Sequence, residues 1–390
     1  GSALALRSIQ DATGNTDAHE KILPSASRPK GADTFRNAGI YDMALEYVRA
    51  TGINTRGLTR EEVAICAMFG PEVAGISRRD GGSGAYSTTG SFANITLDAQ
   101  NKSMMLGYTE APTTWEGPMR RGASVADFKN INRVRMGSVS NLPVWNDNDD
   151  PTVVAFTDGK EAYAVESRSV ELNFSYRLLV NDDMSALGRA PALMGAAAAR
   201  TVNALAWSVI TANGLMSDAV ALFSTATGAR KRANLTTGSA TPTTLTLQTM
   251  KNQLRQMRGE NTPEGAESQD ILNLTAKYIV GPGALDTTIM QLVQSVFDPV
   301  ASTFQIYNPA RNMLIPIIEP LLDVASTTAW YLFSDPSQID TVEVSFLQGQ
   351  ETPVARTFRD ERKLSYSSII LQTFGAKALN HRGIIKHAGA

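Results

Sequence analysis

Residues that usually carry chemistry are scarce in this chain of 390 residues, which holds one cysteine and three histidines. Cys66 lies in the apolar stretch Val63, Ala64, Ile65, Ala67, Met68 and Phe69. No intrachain disulfide can form, a reducing compartment suits the chain, and the thiol reads as a small core residue rather than a reactive group. His19, His381 and His387 all lie near a chain end. With no His-Glu-x-x-His pair and no cysteine cluster, a zinc site of the usual kind is not expected. The glycine-rich phosphate loop with its Lys-Ser/Thr ending is missing as well. Gly81-Gly82-Ser83-Gly84-Ala85 lacks the last glycine of a hydrolase nucleophile elbow and reads as a linker. We therefore assign no catalytic residue, no cofactor site and no metal site, and expect no enzyme.

Charge of one sign is missing too. Charged residues make up 19% of the chain, and 36 basic side chains nearly cancel 38 acidic ones. No global field exists to draw in nucleic acid or an anionic membrane, so any contact with DNA is expected to be local and weak. We find no run of about 18 apolar residues for a bilayer span and no basic-then-apolar start typical of a secretory signal. A soluble chain made in the cytosol, with no membrane partner, is the expectation. It begins Gly1-Ser2-Ala3-Leu4, without methionine. Two readings stay open: a scar of recombinant expression, or the new end left by a maturation protease.

What is present is core-forming material. Hydrophobic residues make up 43%, enough for one large or two ordinary domains. Residues 1 to about 36 are polar, with Pro24, Ser25, Ser27 and Pro29 close together, and read as an extended arm. Short helices are expected at 41–48 and 59–69, the second opened by Thr59 with Glu62 three residues on, a capping box. A third is expected at about 92–108. From 136 to 161 the chain reads as a long hairpin with Asn146-Asp147-Asn148-Asp149-Asp150-Pro151 at its tip. Val170, Leu172, Phe174, Tyr176 and Leu178 alternate with polar residues, which predicts a strand with one face buried and one wet. A long helix is expected over about 186–212, with Ala198, Val202, Leu205 and Val209 as its apolar stripe and Asn213-Gly214 as its cap. Residues 225–350 read as a mixed unit: a helix through Leu247 to Met257, strands at 278–280, 314–318, 329–333 and 342–346, and a helix after Pro282. Another strand through Ile369 to Leu371 and a short polar tail close the chain. The class is α+β.

Two motifs invite a ligand. The acidic tip places oxygen ligands on alternate residues, but Pro151 stands where a calcium loop needs glycine and Thr157 where it needs a bidentate glutamate. A solvated tip is the better reading. Arg230-Lys231-Arg232 is a possible DNA-facing patch, with a solvated loop or a carboxylate-lined interface as the alternative. Of the tryptophans, Trp207 and Trp330 read as core, Trp115 is unplaced, and Trp145, beside the tip, is an interface candidate.

Several stretches in order resemble a known family. They include Asn101-Lys102-Ser103, Tyr108 through Trp115, Asp127-Phe128-Lys129, Asn132 through Arg135, Asp158 through Tyr163 and Leu179 through Asp183. Pro191 through Gly195, Met216-Ser217-Asp218 with Ala221-Leu222-Phe223, Thr327 through Leu332, Leu347 through Glu351, Phe374 through Ala378 and His381-Arg382-Gly383 follow. Over roughly 92–388 this resembles the HK97-type major capsid proteins of tailed bacteriophages. The likeness is to the coat half of the family in which a prohead protease and the capsid protein are encoded as one fusion, related to Mu-like head subunits. Where many members carry a histidine soon after Leu222-Phe223, this chain has Ser224-Thr225.

The resemblance implies an HK97-like fold. Its parts would be an N-terminal arm with arm helices (1–124), a peripheral domain with a long spine helix (125–136, 171–224, 351–390), an extended loop (137–170) and an axial domain (225–350). It implies a structural protein of the virion head that self-assembles, as hexamers and pentamers, into an icosahedral shell around double-stranded DNA. Partners would be neighbouring subunits, a portal, a prohead maturation protease, a cement protein and the packaged DNA by weak contact. Assembly would take place in the host cytoplasm. Interface candidates are Trp145, Asp147, Asp149 and Lys160. Some such shells crosslink a loop lysine to a neighbour's asparagine, and nothing in the sequence marks Lys160 for that use. The alternatives are an encapsulin-type nanocompartment shell, a soluble α+β enzyme, or another virion part.

Overall fold

The computed structural model describes residues 40–50, 53–69, 92–136, 158–175, 184–225, 230, 232–238, 240–261, 266–298, 306–360 and 365–389. The expected arm, the Gly81–Gly84 break and the hairpin tip lie outside them. In chain order come helices α1 (Ile40–Ala50), α2 (Arg60–Phe69) and α3 (Phe92–Glu110). Strands β1 (Arg120–Arg121), β2 (Ile131–Met136), β3 (Asp158–Tyr163) and β4 (Glu166–Ser175) precede the long helix α4 (Met184–Ala212). Then follow β5 (Leu235–Thr236), α5 (Thr244–Arg255), β6 (Arg258–Asn261), β7 (Ala266–Ile271), β8 (Ala276–Gly281) and α6 (Asp286–Gln294). The chain ends with β9 (Ile315–Ile318), β10 (Trp330–Ser334), β11 (Val342–Phe346), β12 (Val354–Asp360), β13 (Ser365–Ala378) and β14 (Ile384–His387). The class is α+β, as the sequence predicts.

Two compact units share the chain. The first holds Gly1–Pro112, Ser167–Thr201 and Gly349–Thr373; the second holds Thr113–Glu166, Val202–Gln348 and Phe374–Ala390. These boundaries divide α4 between residues 201 and 202, inside a segment read from the sequence as one piece.

In the first unit, Thr59 opens α2. Its hydroxyl accepts from the Glu62 N–H at 3.2 Å and the Glu62 carboxylate accepts the Thr59 N–H at 2.7 Å, the reciprocal capping box read from the sequence. That bond holds the Glu62 carboxyl below its usual range. Cys66 is buried with Val63, Ala64 and Ala67, and burial pushes its thiol up. Helices α3 and α4 approach closely at glycines. A Cβ on Gly195 would lie 2.0 Å from the Met104 carbonyl oxygen, and one on Gly107 2.0 Å from that of Ala192; only glycine permits this crossing. Pro191 sits inside α4, where it removes one i→i−4 bond. Strand β12 pairs with the first part of β13, from Val354↔Leu371 to Asp360↔Ser365. Strand β4 covers the first part of the stretch where alternation predicts a strand; along its apolar face Val170 is 50% exposed and Leu172 is half-buried.

The core of the second unit is the sheet β5-β14-β10-β8-β9. Its central strand β10 runs antiparallel to both neighbours, β14 and β8, and β5 and β9 flank these in parallel pairs. All five residues of β10 are buried, and their alternation divides them between two cores. Trp330 and Leu332, with Ile279 and Ile385, meet Leu247, Met250 and Leu254 of α5 and Ile289, Leu292 and Val293 of α6. Tyr331 and Phe333, with Val280 and Ile384, meet Val202, Ala206, Trp207 and Ile210 of α4. Covered on both faces, β10 has no wet side, which is why Trp330–Phe333 reads as a continuous apolar run.

Several expectations are corrected here. The fully buried stripe of α4 runs through Ala199, Val202, Ala206, Trp207 and Ile210, while Leu205 and Val209 of the expected stripe pack partly buried against the same core. Residues 189–212 are also long and apolar enough to cross a membrane, by length and composition, contrary to the expectation of no such run; alanines lengthen the apolar stretch without adding bulky side chains. The helix ends at Asn213, which adopts φ +47°, while its amide brackets the Phe223 backbone. The closing segment is no polar tail. Ile384–His387 is a buried strand paired with β10, and His387 stacks on Trp330 with ring centroids 5.4 Å apart.

Candidate assembly interface

Strands β2 and β3 form the antiparallel limbs of the expected hairpin, in register from Ile131↔Tyr163 to Met136↔Asp158. Both limbs lie in the second unit. Alternation sorts their side chains: Gly159, Glu161 and Tyr163 are buried, while Lys160 and Ala162 are exposed. The inward face is polar. Arg133 Nε donates to Glu343 Oε1 at 2.6 Å, the Tyr163 hydroxyl donates to the same oxygen at 2.6 Å, and Ser345 Oγ lies 2.8 Å from that hydroxyl. Glu161 Oε1 accepts the Ser217 N–H at 2.8 Å. Burial, reinforced by the bond to Glu343, pushes the Tyr163 hydroxyl well above its ordinary range, so it remains a donor at neutral pH. Beside this cluster a cavity of about 330 Å³ is lined by Arg120, Arg133, Asp340 and Glu343, and Arg120 pairs with Asp340.

The outward face of the hairpin is mixed. Lys160 is exposed opposite Val134, itself 57% exposed. Trp145, Asp147 and Asp149, and with them the acidic tip weighed as a calcium loop, lie outside the described residues.

The DNA-facing patch does not survive as read. Arg230 is 1% exposed. Its guanidinium grips Asp218 through Nε at 2.6 Å and Nη2 at 2.9 Å, and donates to the Ala221 carbonyl at 2.7 Å. An arginine consumed by a buried carboxylate and loop carbonyls is not available to phosphate. Lys231 lies outside the described residues, and Arg232 is half-buried with an amide partner in Gln256 at 3.3 Å. The three basic residues are therefore not one patch.

Sequence reasoning missed the exposed apolar side chains of the second unit. Met313, Ile315 and Val324 stand around β9, the last strand of its sheet, with Val324 89% exposed. Phe297 and Tyr307 bridge two chain segments yet remain largely exposed. No local signal distinguishes such residues from core, because what covers an apolar side chain comes from segments distant in the chain. Large apolar side chains left in water mark contact surfaces when they gather on one element.

A mixed sheet covered by helices, a pair of hairpin limbs with an exposed outer face and apolar side chains left outside describe a chain whose working parts are surfaces. The family model for phage capsid proteins matches residues 159–387, and the chain belongs to that family. It is a structural subunit of a phage head shell, and its place is the virion head. No curated protein matches its sequence. Among solved structures, the capsid of Ralstonia phage GP4 is similar at 10% identity and TM-score 0.46, over 69% of this chain and 86% of that one. The capsid of cyanophage P-SCSP1u is similar at 12% identity and TM-score 0.45, over 72% and 89%. A virus-like particle from Pyrococcus furiosus is similar at 8% identity and TM-score 0.41, over 74% and 97%.

Proposed function

We propose that this chain is an HK97-type major capsid protein that assembles, as hexamers and pentamers, into an icosahedral shell around double-stranded DNA. It would belong to the lineage in which prohead protease and capsid protein are made as one fusion. The observation that carries the reading is the hairpin: two paired limbs docked by their polar inner face, with Val134 and Lys160 outward. The hairpin, with Trp145, Asp147 and Asp149 in its connecting segment, reaches a neighbouring subunit, and the segment before residue 40 serves as an arm. Residues 125–136, 171–224 and 351–390 would serve the peripheral domain, 137–170 the extended loop and 225–350 the axial domain. Each contact is modest, and closed symmetry with high effective concentration adds them into a stable shell. A near-neutral chain suits a container whose DNA must slide. Assembly takes place in the host cytoplasm, with a portal, a maturation protease and a cement protein as further partners.

Electron microscopy with light scattering on the purified full chain tests this. Closed polyhedral shells or hexameric and pentameric capsomers are the expected result. A monomer or dimer under every assembly condition overturns the reading, and shells that copurify with a cargo protein and no DNA overturn the genome-container part of it.

A further inference from the structure

The hairpin is fastened to the body in an unusual way. Arg133 lies on the outgoing limb and Tyr163 on the returning one, yet both donate to a single atom, Glu343 Oε1, at 2.6 Å each. Glu343 is 3% exposed. Its strand, β11, is anchored by Val342, Val344 and Phe346 in the apolar core, so alternation places Glu343 and Ser345 on the other face, toward the limbs. The backbone closes over the carboxylate at Gly122, where a Cβ would lie 2.6 Å from Glu343 Cδ and 2.2 Å from Ser345 Oγ. On the open side lies the cavity of about 330 Å³ that Arg133 helps to line, which leaves its guanidinium room to move.

We infer that Glu343 is a latch, a point at which both limbs are gripped together, so that release of either limb releases both and the hairpin moves between a fastened and a free state. This rests on the reading of the hairpin as the element that reaches a neighbour. The two-state character follows from burial. A shielded carboxylate that loses one of its two short limb donors keeps only the other and the longer 3.3 Å bond from Ser345 Oγ and is left undersatisfied, so a half-fastened root is disfavoured against both the closed and the open one. A network with a common acceptor opens as a unit.

Hydrogen exchange read by mass spectrometry on the unassembled full chain tests the latch. Tyr163→Phe and Arg133→Gln are each expected to speed exchange by about tenfold in both limbs, 131–136 and 158–163, with 330–334 unchanged. Glu343→Gln, which keeps the shape and loses the charge, is expected to do the same. Ser345→Ala, which leaves both limb donors in place and removes only the longer 3.3 Å bond from Ser345 Oγ, is expected to change little. Faster exchange only in the limb that carries the substitution, or in neither limb, overturns the latch. If Tyr163→Phe also loosens 330–334, the Glu343→Gln variant decides by the same criterion. Exchange is read without assembly, so the two readings fail separately. Shells from the unsubstituted chain with limb-by-limb exchange remove the latch alone; coupled exchange without shells removes the capsid reading alone.

Discussion

Strand β10 and strand β3 belong to the same unit and both alternate, but they use the alternation differently. Strand β10 sends apolar side chains to both faces and meets two hydrophobic cores. Strand β3 buries Gly159, Glu161 and Tyr163 and leaves Lys160 and Ala162 in water. Apolar packing is non-directional and survives small shifts, whereas a bonded polar contact holds one geometry or fails. The body is thus built to stay, and the hairpin root is built to hold one position until it is released. For a shell subunit that division is useful, since a rigid body can repeat while a fastened element adjusts to each neighbour.

Substitutions in the body should cost most. Phe333 is fully buried and meets Trp207 edge-on with centroids 6.2 Å apart. Phe333→Ala is expected to destabilise the unassembled chain by about 3–5 kcal/mol, read as a shift of the urea midpoint at unchanged slope. A loss below about 1 kcal/mol would mean that the body does not rest on its apolar layers.

The buried pair Asp218–Arg230 is a place in the body where polar contact replaces packing. Asp218→Asn leaves a guanidinium without its charge partner in a dry site, with an expected cost of about 3 kcal/mol in the same measurement. The double change Asp218→Leu with Arg230→Met should recover most of that loss, because two apolar residues of similar volume need no partner. An additive, deeper loss in the double variant would show that the bonds from Arg230 to the 220–222 carbonyls, rather than the charge pair, hold the loop.

The sequence was most legible where periodicity and burial coincide. The strands at 276–281, 330–334 and 342–346 and the helices at 244–255 and 184–212 lie where their patterns put them, the strand at 330–334 because a sheet covered on both faces leaves an unbroken apolar run. The capping box at Thr59 was readable because its two bonds are local. What could not be read depends on distant segments. Nothing near Arg230 in the chain predicts that Asp218 will take it out of solvent, so a basic triplet looked like a surface. Glu343 sits in the alternating strand Val-Glu-Val-Ser-Phe and reads as a wet-face residue; only the return of residues 133 and 163 to that strand shows what it holds. The strand after Gly383 looked like a tail because it is short and carries Lys386 and His387, and its burial comes from pairing with β10.

A smaller effect separates the body from the root by pH. His387 is buried against Trp330, its Nδ1 accepts the Gly389 N–H at 3.1 Å, and burial lowers its pKa from 6.5. In the unfolded chain the imidazole takes a proton near that value, while the folded one resists. Its contribution to stability is therefore full above pH 6.5 and is lost as pH falls from there to the lower folded value. Urea midpoints measured from pH 7.5 downward should fall, and His387→Phe should flatten that part of the curve. An unchanged slope would place the acid sensitivity elsewhere.

The smallest expected effect on folding carries the sharpest test of the division between body and hairpin. Val134 is exposed on the outer face of the outgoing limb, so Val134→Glu should move the stability of the unassembled chain by no more than about 0.5 kcal/mol. If that face meets a neighbour, the same substitution buries a charge in every copy of the contact, and symmetry multiplies the penalty around each capsomer. Shell yield by light scattering should then fall steeply while the urea midpoint stays put. Shells that form normally would mean that the outer face of the limb stays in water even in the head. The hairpin's reach would then have to come from the segment beyond the limbs, where Trp145 lies.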